Sequence, residues 1–430
     1  GAGPGFGRFD GAGQGAIAAA PTGTGVGDCT LAGCLWDPEG THWPAMVSAS
    51  VHICPLSPLA PLPRATAAVT GTRAAIREQI EDFVVDELAL YEPCGEGDHL
   101  YLRIEKRDVS GPSLRRHLAR TLRVSDRDIG MAGLKDRRAI TRQWVSVPAQ
   151  AADRVAAVDD DRVRVLHQSR HRNKLRTGHL AGNRFQIRLR GVAPGDLERL
   201  RTKLDLLGSV GLPNFYGPQR MGHGGATLAA GWALSQGLSG LMRLGMADER
   251  VHQVDLRDRF LRRLAASALQ SEVFNRTLAA RMAEGIERVV MAGDMCQKID
   301  TGGQFPSDDA AREQGRLERG EVRITGPMWG PKMRMPQEDA AVYERAILDQ
   351  MGLTTEDFAR IGALAAGTRR ALHATVGDIE LNEDPDGVVV CFSLPAGSFA
   401  TVLLHELAED PPPGDVESDA ATSDHGEPCV

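Results

Sequence analysis

Aromatic residues are scarce, at 5% of 430 positions, so each Phe, Tyr and Trp carries weight as a sign of core or site. No run of roughly 18 apolar residues occurs, which excludes a membrane-spanning helix. No basic stretch leads into an apolar one near the start, so a signal peptide is not expected. The seven cysteines never form a Cys-x-x-Cys pair, and Cys29, Cys34, Cys54 and Cys429 lie in the terminal segments. Cys94, Cys296 and Cys391 alone remain in the body, too few and too scattered for a disulfide framework or a zinc ribbon. A reducing, cytoplasmic setting is therefore expected. The Gly-x-Gly repeats at Gly11, Gly13 and Gly15 follow no predicted strand, so a dinucleotide fingerprint is excluded as well. No motif for a metal or a redox cofactor is present, and none is expected.

Lys and Arg are absent after residue 408, and this absence changes the meaning of the net charge. The whole chain carries −7, which speaks against a polyanionic partner. Seven acids lie from Glu409 onward, and residues 1–64 hold four acids against two bases, so the body from 65 to 408 is left with +2. Ten glycines in the first 27 residues and no apolar periodicity after them predict a disordered extension over 1–64. The Pro-rich acidic end, 409–430, is expected to be a disordered tail.

What the body does contain is a stretch from Gly133 to Trp144, Gly-Leu-Lys-Asp-Arg-Arg-Ala-Ile-Thr-Arg-Gln-Trp. It sets one carboxylate, Asp136, between Lys135 and the pair Arg137–Arg138. Nearby cations favour the charged form of a carboxylate, so this pattern suits an acid meant to stay ionised in a positive field. Gly133 suits a sharp turn before it, and Gln143–Val147 reads as a strand. Asp136 is thus expected on a loop at the mouth of a strand, as a nucleophile or base for a polyanionic substrate. The motif alone suits a salt-bridged turn at least as well, and the rest of the chain decides between them.

Strands are predicted at 81–87 and 99–104, then a helix capped by Ser110 or Ser113 with Leu114, Leu118 and Leu122 inward. From Arg162 to Arg190 there are nine Lys or Arg and no acid. Within it, 183–190 alternates Phe185, Ile187 and Leu189 against Arg184, Arg188 and Arg190. A sheet face of arginines suits a phosphate backbone. Pro213–Gly222 is a loop with two aromatics, fit to stack on unpaired bases or to pin the loop to the core. Residues 226–300 are Ala- and Leu-rich, with amphipathic helices at 258–265 and 271–278. A Gly- and charge-rich stretch, 301–322, and a turn, 325–330, follow. Asp384-Pro385-Asp386-Gly387 marks a hairpin, and 402–407 a closing helix. The expected organisation is a body in two parts, 65–220 and 376–408, around a mainly helical insertion at 221–375.

Together these blocks resemble the TruD family of tRNA pseudouridine synthases. Gly133–Gln143 meets G-x-K-D-x-x-A-x-T-x-Q, Gly182–Phe185 meets G-N-x-F, and Asn214–Gly222 meets N-x-F/Y-G-x-Q-R-x-G. Thr325–Gly330 meets T-G-P-x-W-G, and Gly397–Thr401 meets G-S-F-A-T. Ile80 departs from the proline expected before Glu81-Asp82-Phe83. The resemblance implies an α+β pseudouridine-synthase fold, a mixed and mostly antiparallel sheet flanked by helices, with an inserted TRUD domain. It implies isomerisation of uridine 13 in tRNA by Asp136 without a cofactor, in a monomer. By the same resemblance, Phe83, Asn183 and Phe399 contact the substrate, Phe185 lines the pocket, Lys135 assists, and Arg77 contacts phosphate. A protein that binds or folds RNA through the same basic cleft without turnover is the alternative reading.

Overall fold

The computed structural model describes residues 51–133, 135–246 and 251–409. Most of the extension and tail expected to be disordered lies outside these residues, as does Leu134 of the Asp136 stretch. Residues 51–64, however, are folded, which corrects the boundary placed at 64. Val51–Ile53 forms strand β1, and Cys54, Leu56 and Leu62 are buried. The physical reason is compositional: the glycine-rich character ends well before this segment, and its β-branched and leucine side chains have enough apolar surface to bury.

The first part of the body forms strands β2 (Ala75–Ile76), β3 (Phe83–Ala89), β4 (His99–Arg107), β5 (Gly130–Met131), β6 (Ile140–Pro148), β7 (Val163–His171) and β8 (Leu180–Arg190), with helix α1 (Gly111–Leu122) after β4. The chain then builds α2 (Leu197–Val210), β9 (Leu212–Pro213), α3 (Ala226–Ser235), β10 (Leu241–Gly245), β11 (Val251–Asp255) and α4 (Arg259–Ala283). Next come β12 (Met295–Lys298), β13 (Gln304–Pro306), α5 (Ala310–Glu318), β14 (Val322–Met328), α6 (Glu338–Gln350) and α7 (Thr355–Ile361). The described chain closes with β15 (Thr368–Ala371), β16 (His373–Ala374), β17 (Gly377–Asp384), β18 (Gly387–Pro395) and α8 (Ala400–Leu407).

The main sheet has nine strands, with the path β17-β18-β8-β3-β6-β4-β7 and β2 and β5 beside β8 and β6. Its pairs are antiparallel except β3 with β6. The fold is α+β, and β17 and β18 return to a sheet that the chain left after β8. Local sequence explains the edges of these elements. The Ser110 hydroxyl accepts from the Ser113 amide and caps α1, whose Leu114, Leu118 and Leu122 are buried. The Asp384–Gly387 turn joins β17 to β18.

The block from 221 to 375 is less helical than its composition suggests. It contains β10 to β16, and Thr325–Met328, read from the sequence as a turn, is the end of β14 paired with β15. Strands of two to seven residues show too few alternations for periodicity to reveal them. The helices expected at 258–265 and 271–278 are one helix, α4, whose middle is buried on most sides. Nor does the block have a wholly separate core. Phe274, Leu278, Cys296 and Ile324 pack into the same cluster as Phe185, Ile187 and Phe392 of the main sheet.

Candidate active site

Asp136 stands on the loop between β5 and β6, at the mouth of β6 as its sequence predicts. Its side chain is 42% exposed. The backbone there is not the glycine turn that was expected. Gly133 has no left-handed φ, and a Cβ placed on it would meet only the Lys135 ammonium, at 3.7 Å. Among the described residues, neither an unusual backbone conformation nor a close approach calls for glycine there.

The cations beside Asp136 are also not the ones adjacent to it in sequence. Arg77 donates from Nη2 to Asp136 Oδ1 at 3.3 Å. Lys135 is 6% exposed and its Nζ lies 2.7 Å from Glu87 Oε2, so its charge is committed within the sheet and not offered to a substrate. Arg137 pairs with Asp108 at 3.4 Å. A loop side chain points where the turn sends it, and adjacency in sequence does not fix that direction.

Arg77 is held by more than its ion pair. Its backbone is left-handed, with φ 63°, an arrangement that costs a non-glycine residue on the order of 1–2 kcal/mol and that often marks a site. Its guanidinium carbon lies 3.9 Å from the Phe83 ring centroid. Phe83 meets Phe185 edge-on, centroids 6.3 Å apart, and Phe185 stacks on Phe392 at 5.1 Å. Phe83 and Phe185 are buried. Phe83 is therefore not presented to a substrate in this structure: Arg77 covers it. The structure does join four predicted residues, Asp136, Arg77, Phe83 and Phe185, in one chain of contacts.

Asn183 stands two residues before Phe185 on β8, opposite Glu87 of β3 and Leu394 of β18. Its Oδ1 is buried and accepts no hydrogen bond among the described residues. Gly182 before it is required by close approach, because a Cβ there would lie 2.2 Å from the Leu394 carbonyl oxygen.

Phe399, at the N-cap of α8, belongs to a second group. It packs on Tyr216, centroids 5.7 Å apart. Arg370 lies over the Tyr216 ring at 4.1 Å and near Phe399 at 6.0 Å, while its Nη2 donates to the Asn214 carbonyl oxygen at 2.9 Å. Ser398 Oγ donates to Asn214 Oδ1 at 3.1 Å. Arg370 carries no motif of its own, and only its neighbours in space reveal it. Asn214, Tyr216, Ser398 and Phe399 all fall within sequence motifs, and Arg370 is what ties those motifs together.

The arginines of β8 are not a free phosphate-binding face. Arg184 reaches Glu380 at 3.4 Å, Arg188 reaches Asp384 at 2.8 Å, and Arg190 reaches Asp82 at 2.7 Å. Hydrogen bonding from Arg190 holds the Asp82 carboxyl below the usual carboxylate range. Acids distant in sequence neutralise what a local count shows as a basic run. Arg164, Arg170 and Arg176 remain exposed, and among the described residues they make no ion pair.

A family model described as tRNA pseudouridine synthase D (TruD) matches residues 64–238 and 249–407. The chain is 45% identical to the tRNA pseudouridine synthase D of Anaeromyxobacter dehalogenans over 350 residues, covering 81% of this chain and 96% of that one. It is 37% identical to the tRNA pseudouridine synthase D of Thermus thermophilus, over 84% of this chain and 96% of that one. A Methanosarcina mazei crystal structure assigned as tRNA pseudouridine synthase D superposes with a TM-score of 0.61 at 24% identity, over 79% of this chain and 94% of that one. That last likeness shows the fold.

Proposed function

This chain belongs to the tRNA pseudouridine synthase D (TruD) family, and from that membership we propose that it converts uridine 13 of folded tRNA to pseudouridine, with Asp136 as the acting carboxylate and no cofactor. The reaction breaks the N1–C1′ bond, turns the uracil, and joins C5 to C1′. The proton lost from C5 is matched by one gained at N1, so nothing is consumed and no redox partner is needed. Attack on C1′, removal of a sugar proton and addition to the base are the routes open to a carboxylate, and each requires it ionised and within reach.

The observation that carries this reading is the half-exposed Asp136 carboxylate bonded by Arg77, which itself rests on Phe83. A guanidinium at 3.3 Å holds the carboxylate in place, and the ring beneath fixes the guanidinium. The target base lies in folded RNA and has to be flipped out of its stack. Asn183 offers the buried Oδ1 for the uracil N3–H, since a buried acceptor without a partner is costly until a ligand supplies one. Phe399 and Tyr216 offer aromatic faces for the base or its neighbour.

The test is a pseudouridine map of tRNA treated with the wild-type protein and with Asp136→Asn. One new pseudouridine, at position 13 and absent with the variant, is the expected result. No pseudouridine with either protein, alongside salt-sensitive tRNA binding, refutes the reading in favour of RNA binding without turnover.

A further inference from the structure

Lys106 is a buried cation that the reading above leaves unused, and it reaches the carbonyl of Asp136. It lies near the end of β4, on the face shared with Leu102 and Ile104, and is fully buried. Lysine is almost never fully buried unless it is paired. Among the described residues Lys106 has no carboxylate within ion-pair distance. Its Nζ instead donates to the backbone carbonyl of Asp136, at 2.7 Å. The register sets Thr141 of β6 directly beside it. Thr141 Oγ1 and both amide atoms of Gln143 are buried there and have no hydrogen-bond partner among the described residues.

A methionine would fill this position as well as the stem of a lysine does, without burying a charge. The ammonium therefore needs a reason, and the carbonyl it binds belongs to the acting residue. We propose that Lys106 is a positioning residue for the reaction: its buried ammonium ties the Asp136 backbone to β4 and so fixes where the Asp136 carboxylate stands. This rests on Asp136 as the acting carboxylate. Arg77 holds the carboxylate from one side, and Lys106 holds the main chain from the other. The two bonds together fix a loop residue as a strand residue would be fixed. Placement of this kind matters to catalysis, because a displacement of about 1 Å can cost about a hundredfold in rate.

The charged groups around Lys106 set a pH signature. Asp136 and Lys135 face it from the loop, Asp108 from the end of its own strand, and Glu87 of β3 engages Lys135. Burial pushes the ammonium down to about 8, Asp136 and Asp108 oppose that, and Lys135 adds to it. The group is charged below that value and neutral above it. Turnover that depends on the charged form is thus full at pH 7 and falls as pH rises through about 8.

The experiment is single-turnover pseudouridine formation on tRNA from pH 7 to 9, with wild type, Lys106→Met and Asp136→Asn, together with tRNA affinity and thermal melting. The expected result is an alkaline limb in the wild type. Lys106→Met is expected to turn over about a hundredfold more slowly with no such limb, with tRNA affinity within about twofold and a melting temperature at pH 7 no lower than that of the wild type. A residue that only supported the fold would lower melting instead. A Lys106→Met protein that turns over at the wild-type rate overturns the proposal, and so does one that keeps the pH profile of the wild type. Turnover by Asp136→Asn defeats the prior reading of Asp136, and the proposal falls with it. An inactive Asp136→Asn beside a fully active Lys106→Met defeats the Lys106 proposal alone.

Discussion

Replacing Phe83 by leucine separates two roles that the ring could play. In the structure Phe83 is fully buried and lies under Arg77, so its work is to carry the guanidinium that reaches Asp136. Leucine keeps most of the apolar burial and removes the ring. The edge-on contact with Phe185 is worth about 0.5–1.5 kcal/mol, and a cation–π contact to a guanidinium whose side chain is 18% exposed about 1–2 kcal/mol. Phe83→Leu should therefore cost about 1.5–3.5 kcal/mol of stability, against about 3–5 kcal/mol for Phe83→Ala, which opens a cavity. A freed Arg77 no longer holds Asp136, and losing a bond of that charged type, about 1.5–3 kcal/mol, corresponds to a fall in turnover of roughly tenfold to a hundredfold. The assay is single-turnover pseudouridine formation with Phe83→Leu, Arg77→Met and the double variant, each checked by thermal melting. If the ring acts through Arg77, the double variant is no slower than Arg77→Met, because the two residues form one unit. If instead the ring stacks on the flipped base, the two losses multiply, and that result would refute the reading.

Two further outcomes follow from ion pairs elsewhere in the molecule. Arg369 and Glu344 form a fully buried pair, bonded at 2.8 and 2.6 Å, so Glu344→Ala should lower stability by about 3–5 kcal/mol, seen as a lower melting temperature with tRNA present or absent. An unchanged melting curve would mean that Arg369 finds another partner. Replacing exposed Arg164, Arg170 and Arg176 singly by alanine should weaken tRNA binding and reduce the slope of log affinity against log salt by about 1 wherever the arginine neutralises a phosphate. The ion-paired Arg188 should leave that slope unchanged when replaced.

Much of the main sheet is legible in the sequence because its strands are long and alternate. Phe185, Ile187 and Leu189 face one way and Arg184, Arg188 and Arg190 the other, as the period-2 pattern of β8 requires. What alternation cannot supply is the partner across the sheet. The same arginines read as a phosphate-binding face until Asp82, Glu380 and Asp384, far off in sequence, are placed beside them. The block from 221 to 375 resists reading for a different reason. Its strands are too short to show a period, and the middle of α4 is buried on most sides, so its two amphipathic stretches read as separate helices and not as one.

The same distinction governs the site. Asp136 is legible because its motif is contiguous, and its position at the mouth of β6 follows from the strand that begins right after it. Its partners are not legible. Lys135 and Arg137, adjacent to it in sequence, lead to Glu87 and Asp108, while the cation that reaches its carboxylate comes from Arg77, 59 residues earlier. The cation that holds its backbone comes from Lys106, 30 residues earlier on a strand that carries no motif of its own. A charged cluster in sequence announces that a carboxylate stands in a positive field, but the sheet register decides which cations compose it. Lys106 lies on β4, which pairs with β6, and Arg77 directly follows β2, which pairs with β8 on the other side of β3. They can therefore converge on one loop at the edge of β6, a convergence that spacing along the chain does not encode.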